Sequence, residues 1–147
     1  MSYAEATGRL IFMSWNPGAG AKHLAEVIDT SGYHVVAVQE AREDLLVKLD
    51  RQRWSFELKF GQFVGARSPN WVESHCGEAT QGRIRWHFAT VHFDPQRVNR
   101  SSLGILSLHL HNVLAKKPQA GYLEVGSTID KACKFSPSLP WTSSAAT

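Results

Sequence analysis

The order of apolar segments near the beginning of the chain constrains its fold most strongly. Residues 9–15 (RLIFMSW) form an apolar run that Asn16-Pro17-Gly18 closes, which predicts a buried strand ending in a turn. Over residues 19–30, apolar side chains recur every three or four positions, which predicts an amphipathic helix. Residues 33–38 (YHVVAV) predict a second buried strand. The chain therefore begins as strand, helix and strand, an order typical of an α/β domain.

The rest of the chain mixes helices with strands of changing burial. Strands are predicted where apolar side chains are continuous or alternate, and loops where Gly, Pro and Asn accumulate. The elements predicted after the second strand are a short helix over 41–49, paired strands over 54–60 and 62–66, a long loop over 67–82, a half-buried strand over 83–91, a buried strand over 103–110 and a helix over 119–133. They predict one domain over 9–133, preceded by an N-terminal extension (1–8) and followed by a Ser-, Thr-, Pro- and Ala-rich tail (134–147) that we expect to be disordered.

Composition excludes several classes of protein. With 147 residues, 43% hydrophobic and 20% charged, the chain suits one globular domain and differs from fibrous or disordered chains. Cys76 and Cys133 are too few for a disulfide framework or a four-thiolate metal site. No apolar run approaches the roughly 18 residues of a membrane-spanning helix, and Glu5 and Arg9 stand where a signal peptide is apolar. These observations predict a soluble, intracellular protein of the cytoplasm or nucleus.

Charge is distributed unevenly along the chain. Residues 1–80 contain 8 Lys and Arg against 10 Asp and Glu, whereas residues 81–147 contain 8 against 3. A basic surface suits a phosphate-rich partner such as nucleic acid. The alternative is that these are ordinary solvated charges, since no aromatic and basic recognition motif accompanies them.

Polar residues lie at the ends of three predicted strands. Asn16 follows the first strand, Glu40 follows the second, and His109 lies near the end of the strand predicted over 103–110. Because open α/β sheets bind ligands at the ends of their strands, these three are candidate functional residues, with Gln39 in a supporting role.

A zinc site is an alternative use of the histidines. His109 and His111 are two residues apart, which places both imidazoles on one face of a strand. Together with His87, His92 or Cys76 they could hold zinc, although the spacing places no fourth ligand.

Four short segments resemble the endonuclease/exonuclease/phosphatase superfamily, which has the deoxyribonuclease-I-like fold. They are Ser14-Trp15-Asn16, residues 35–40 (VVAVQE), residues 61–67 (GQFVGAR) and residues 107–112 (SLHLHN). Their order and strand context agree with those of the family. The resemblance implies an α/β fold, a partial two-sheet β-sandwich flanked by helices, over roughly residues 9–133.

The same resemblance implies a metal-dependent phosphodiesterase or phosphomonoesterase. It assigns Glu40 as the carboxylate ligand of Mg²⁺ or Mn²⁺, and Asn16 and His109 as catalytic residues that act on the metal and the scissile phosphate. A hard divalent ion accepts one or two carboxylates and keeps several waters, which suits these roles. Arg42 and Arg85 are candidates for the substrate phosphate. Gln39 and Asn112 are candidates for supporting the site.

The chain departs from the family after Asn112. Family members complete the site with a Gly-Asp-x-Asn motif and an Asp-His pair, but this chain has there no His, no further Asn and one Asp, Asp130. We therefore expect the chain to resemble the first half of the domain and to be weak or inactive alone. The alternatives are a catalytically silent remnant that binds nucleic acid or protein, and a partner chain that supplies the missing half.

Overall fold

The computed structural model describes residues 10–18, 23–96, 102–111 and 118–135 of the chain. Its elements are β1 (Phe12–Trp15), α1 (Leu24–Thr30), β2 (Val35–Val38), α2 (Asp44–Lys48), β3 (Trp54–Lys59), β4 (Gln62–Arg67), β5 (Trp71–Ala79), β6 (Ile84–His92), β7 (Ser102–Leu110) and α3 (Pro118–Cys133). The predicted extension (1–8), the start of the first predicted helix (19–22) and most of the predicted tail (136–147) lie outside the described residues. Among the described helices, none combines the length and the hydropathy needed to cross a membrane.

The strands form two sheets. The first has the order β1-β2-β4-β3, in which β1 and β2 are parallel and the other pairs antiparallel. The second has the order β5-β6-β7 and is antiparallel throughout. Parallel neighbours need a crossover, and the segment containing α1 supplies it between β1 and β2. Over the described residues the protein is thus mixed α/β, as the sequence pattern predicts, and it has two sheets, as the resemblance implies.

Apolar side chains form three clusters that separate four layers. The first cluster joins α1 to the outer face of the first sheet and contains Ile28, Trp54 and Phe63. The second lies between the two sheets, and the third joins the outer face of β6 to α3. The layers are therefore α1 with α2, the first sheet, the second sheet, and α3.

The prediction of a loop over residues 67–82 is wrong, because β5 occupies most of that segment. It pairs with β6 over nine residues, from Trp71 opposite His92 to Ala79 opposite Ile84. Polar and small residues interrupt its apolar pattern, namely Glu73, His75 and Gly77. The sequence of this segment alone therefore does not predict a strand. Its partner β6 supplies the apolar and aromatic surface that the pattern lacks.

The burial predicted for the last two strands is also wrong. The central strand β6, predicted to be half-buried, is buried on both faces from Trp86 to Val91. The strand predicted to be buried, β7, is hydrogen-bonded only to β6 within the described residues, and its Gly104, His109 and Leu110 are exposed. Position within a sheet, rather than local pattern, decides these two cases.

Gly77 and Gly126 offer a matched pair of substitutions with opposite expected signs. A Cβ on Gly77 would lie 2.6 Å from Cζ2 of Trp86, which packs towards α3, so we expect Gly77→Ala to lower the free energy of unfolding by about 2 kcal/mol. A Cβ on Gly126, inside α3, meets no atom within 4 Å, so Gly126→Ala should raise it by about 1 kcal/mol. Urea titration followed by circular dichroism measures both. Shifts of the same sign would contradict this packing.

Candidate functional site

Asn16, Gln39 and Glu40 leave the first sheet at one edge. In the parallel pair of β1 and β2, Trp15 lies opposite Val38, so the residues that follow these strands emerge side by side. The backbone N–H of Gln39 donates to the carbonyl of Trp15 at 3.0 Å and extends the pairing by one residue. The Nε2 of Gln39 donates to Oγ of Ser14 at 3.4 Å. The structure therefore brings together these three residues, as expected from the ends of parallel strands.

Asn16 shapes the turn that follows β1. Its Oδ1 accepts a hydrogen bond from the backbone N–H of Gly18 at 3.0 Å, and Gly18 has a φ of 76°. An asparagine that bonds the backbone two residues ahead is a common turn former. This bond uses one of the two lone pairs of Oδ1 and leaves the other for a ligand.

Glu40 occupies an unusual backbone conformation. Its φ of 55° lies in the left-handed region, which costs a residue with a Cβ about 1 kcal/mol. The next residue, Ala41, donates its N–H to the carbonyl of Gly61 at 2.7 Å, which fixes the strand end against the turn between β3 and β4. The Glu40 side chain is exposed and makes no hydrogen bond or ion pair with another described residue. The backbone thus fixes where the Glu40 side chain leaves the strand end, and its carboxylate is open to a ligand.

A cavity of about 590 Å³ lies beside Glu40, between the strand ends and the two short helices. Its lining is rich in carboxylates, namely Glu26, Asp29, Glu40, Asp44 and Asp50, against the bases His23, Arg42 and Lys48. Asp44 pairs with Arg42 Nε at 3.8 Å and with Lys48 Nζ at 3.6 Å, and Asp29 pairs with Arg53 at 3.0 Å. The other three carboxylates have no Lys or Arg partner among the described residues. The cavity therefore attracts cations more than anions.

Arg85 and His109 lie on the second sheet, paired with each other in register on β6 and β7. Alternation along β6 places Arg85 on the same face as Ala89 and Val91, which pack against the first sheet. The guanidinium carbon of Arg85 is 5.6 Å from the ring centroid of Phe60, in the turn that contacts the Glu40 segment. Both residues are exposed, and neither lines the cavity. Arg85 and His109 thus lie on the second sheet, on its face towards the first sheet, and at the same end of the sheets as Glu40.

A buried polar group, missed by the sequence analysis, lies just inside this end. The carbonyl of Gln62 can only accept, so Nδ1 of His87 carries the proton and donates to it at 3.0 Å. Nε2 of His87 then accepts from the hydroxyl of Ser74 at 2.7 Å. The pKa of His87 is lowered from 6.5 to about 4, chiefly by burial; the bond to Gln62 opposes the shift and nearby Lys59 adds to it. The alternating pattern of residues 83–91 put His87 on the exposed face, and β5, which carries Ser74, was not predicted.

The other predicted site residues are Asn112, the histidines of the zinc alternative and the two arginines. Asn112 lies outside the described residues. Within the ranges that the structure describes, no three side chains of His, Cys, Asp or Glu are close enough together to hold a metal ion, and this includes the zinc combination around His109 and His111. Arg42 lines the acidic cavity, whereas Arg85 lies on the second sheet over the ring of Phe60, so the two candidates for phosphate contact lie on different sides of Glu40.

Comparison with known proteins gives no family for this chain: no protein-family model matches it, and searches of curated proteins and of solved structures find no match.

Proposed function

We propose that the chain is the first half of an endonuclease/exonuclease/phosphatase-type domain, which binds a phosphodiester at the strand-end site and hydrolyses it only weakly alone. The observation that carries the proposal is Glu40, an unpartnered carboxylate held at the ends of two parallel strands beside an acidic cavity. Further support comes from the resembling segments, since residues 14–16 and 35–40 meet at this edge. Residues 107–110 lie on β7 at the same end of the sheets.

The residues present fit a hard divalent cation such as Mg²⁺ or Mn²⁺. Mg²⁺ is held in proteins by one or two carboxylates and keeps several waters, so a single ligand such as Glu40 is compatible with it. The excess of carboxylates in the cavity lining favours a cation there. When bound, such an ion supplies charge neutralisation at the phosphate and a more acidic water.

The chain's own side chains would act on the substrate from the other side. Arg85 offers a guanidinium suited to phosphate oxygens, although Glu78 lies 3.6 Å from its Nε and must share it. His109, adjacent to it on β7, offers an imidazole that can donate or accept a hydrogen bond at the phosphate. Arg42 is the weaker candidate for phosphate contact, because Asp44 and the acidic cavity surround it.

Slow turnover is expected because the chain lacks the residues that would activate the attacking water. After Asn112 its one Asp, Asp130, lies within α3, and the sequence there contains no His. General base catalysis typically contributes about 10²- to 10⁴-fold, so its loss leaves binding and charge stabilisation. A partner chain with the missing motifs would restore that factor.

Nicking of supercoiled plasmid DNA tests the proposal. With Mg²⁺ we expect slow nicking that EDTA abolishes, and we expect Glu40→Gln to reduce its rate at least about 10-fold because the metal loses its carboxylate. Glu43→Gln is the matched control. Glu43 is an exposed glutamate three residues away that does not line the cavity, so this variant should nick like the wild type.

Two outcomes would contradict the proposal. Nicking that persists unchanged in Glu40→Gln would be due to a contaminating nuclease. An equal loss in Glu40→Gln and Glu43→Gln would show a general effect of acidic charge rather than a metal ligand.

A silent remnant that binds a partner is the second candidate, and the open edge of the second sheet favours it. Within the described residues β7 pairs on one side only, and Tyr122, Leu123 and Ile129 of α3 are exposed. Exposed strand edges readily accept a strand from another chain. DNA binding by fluorescence anisotropy, or a protein complex, without any nicking by the wild type would support this candidate.

A further inference from the structure

One buried polar group ties the two sheets together, namely Gln62, Ser74 and His87. Gln62 belongs to β4 in the first sheet, whereas Ser74 and His87 belong to β5 and β6 in the second. His87 is completely buried and uses both ring nitrogens, one towards the Gln62 carbonyl and the other towards Ser74. Elsewhere the described contact between the sheets is mostly apolar, with Val35, Val64 and Val91 among its members, and one further hydrogen bond runs from the N–H of Val72 to Oγ of Ser55 at 2.9 Å.

The hydrogen bonds of His87 to the Gln62 carbonyl and to the Ser74 hydroxyl, together called the tie, require a neutral imidazole. A second proton on Nε2 would leave the Ser74 hydroxyl facing a donor, so that hydroxyl would have to rotate and accept instead. The resulting charge would remain buried, because His87 has no exposed surface. Burying an uncompensated charge is among the most costly changes a core can undergo.

The charged groups that face His87 do not compensate that charge. On β3, strand alternation gives Lys59 and Glu57 the same face as Gln62, and they are 4.0 Å apart, so the carboxylate is already paired. On β5, Cys76 lies opposite His87, and Glu78 lies 3.6 Å from Arg85 of β6. On β7, Ser107 pairs with His87, and His109, two residues further, adds positive charge when protonated. Both carboxylates near His87, Glu57 and Glu78, are therefore already paired with cationic groups and do not offset a charge on the imidazole.

The same strand carries the tie and part of the proposed site. Arg85 precedes His87 by two residues on one face of β6, and His109 lies opposite Arg85 on β7. Gln62 follows the turn that contacts the Glu40 segment. Gln62 also has a buried Oε1 with no hydrogen-bond partner among the described residues.

We infer that His87 is a protonation-sensitive tie, and that acid loosens the two sheets at this end and moves Arg85 and His109 away from the first sheet. The loosening stands on the geometry alone, whereas its consequence for catalysis rests on the proposed function. The direction follows from proton linkage. The pKa of His87 is about 4 in the fold against 6.5 when exposed, so the opened form binds more protons between these values. The contribution of His87 to the free energy that keeps the sheets in contact is fully present above pH 6.5, and it is lost as the pH falls to about 4.

Amide hydrogen exchange at several pH values, corrected for intrinsic rates, tests the inference on the free protein. Between pH 7 and pH 4 we expect the opening constant of β4, β5 and β6 amides to rise about 100-fold more in the wild type than in His87→Gln. Glutamine can keep one donor and one acceptor but cannot titrate. Every other titratable group is the same in both proteins, so the difference isolates His87. His92→Gln, at an exposed ion pair with Glu73, should behave like the wild type.

Nitrogen NMR of the His87 ring in the wild type gives a second test that does not depend on a variant folding. We expect the Nδ1–H tautomer at pH 7 and a midpoint of protonation near pH 4. A midpoint above pH 6, or equal pH dependence of exchange in wild type and His87→Gln, would overturn the inference. Neither measurement uses DNA or metal, so failure of the nicking assay and failure of this inference are distinguishable.

Discussion

Replacing Trp54 by alanine should lower the free energy of unfolding by about 4 kcal/mol, the largest effect we expect for a single change. Trp54 is completely buried between α1 and the first sheet, where Ile28 and Phe63 belong to the same cluster. Its Nε1–H donates to Oδ1 of Asp29 at 3.1 Å. Alanine removes the ring and leaves a cavity that the surrounding sheet can only partly close. Urea titration at pH 7 measures the loss.

Trp54→Phe is the matched control for that measurement. Phenylalanine keeps most of the apolar ring and loses the hydrogen bond to Asp29, so we expect it to cost about 1 to 2 kcal/mol. An alanine variant that lost less than about 1 kcal/mol would show that Trp54 does not form part of the core.

Replacing Arg67 by alanine should cost about 3 kcal/mol, the second largest effect. Its Nε donates to the carbonyl of Tyr33 at 2.9 Å, and its Nη2 donates to the carbonyls of Asp29, at 3.0 Å, and Ser31. These carbonyls lie at the end of α1 and just beyond it, where the helix dipole favours a positive charge. The guanidinium also lies 4.5 Å from the ring centroid of Trp54. Arg67 thus fastens the crossover helix to β4.

Two further variants make the Arg67 experiment specific. Lysine cannot reproduce the fork of donors, so Arg67→Lys should recover only a minor part of the loss. Arg51→Ala removes another arginine over an aromatic ring, 4.1 Å from the centroid of Phe56, and should cost below about 1 kcal/mol because Arg51 is exposed. Thermal unfolding followed by circular dichroism ranks the three proteins. A loss in Arg67→Ala as small as in Arg51→Ala would contradict the fastening role.

Local pattern was sufficient for the first half of the fold. The apolar runs of β1 and β2, the period of α1 and the turn at Gly61 each carry their own signal, and the structure contains all four. It was insufficient for β5, whose strand character depends on β6. Gly77 lies under the ring of Trp86, and Trp71 stacks on His92 with ring centroids 4.0 Å apart. Such cross-strand contacts are absent from the pattern of a single segment.

Part of the candidate site could likewise be predicted from the sequence, and part could not. The meeting of Asn16 and Glu40 follows from parallel strands and could be expected from the sequence. The position of His109 relative to them depends on how the second sheet lies over the first. That arrangement is set by the apolar cluster between the sheets and by His87, whose partners come from two other strands. The acidity of the cavity was not predicted either, because its carboxylates come from three separate segments, α1, the end of β2 and the region of α2, which meet only in the folded structure.

The two sides of Glu40 differ in the charged groups that they carry. Towards the helices, the cavity lining holds more carboxylates than bases, whereas towards the second sheet the exposed groups include Arg85, which Glu78 shares, and His109. In the proposed function, a small cation and a phosphate would therefore approach Glu40 from opposite sides, and each could arrive without displacing the other.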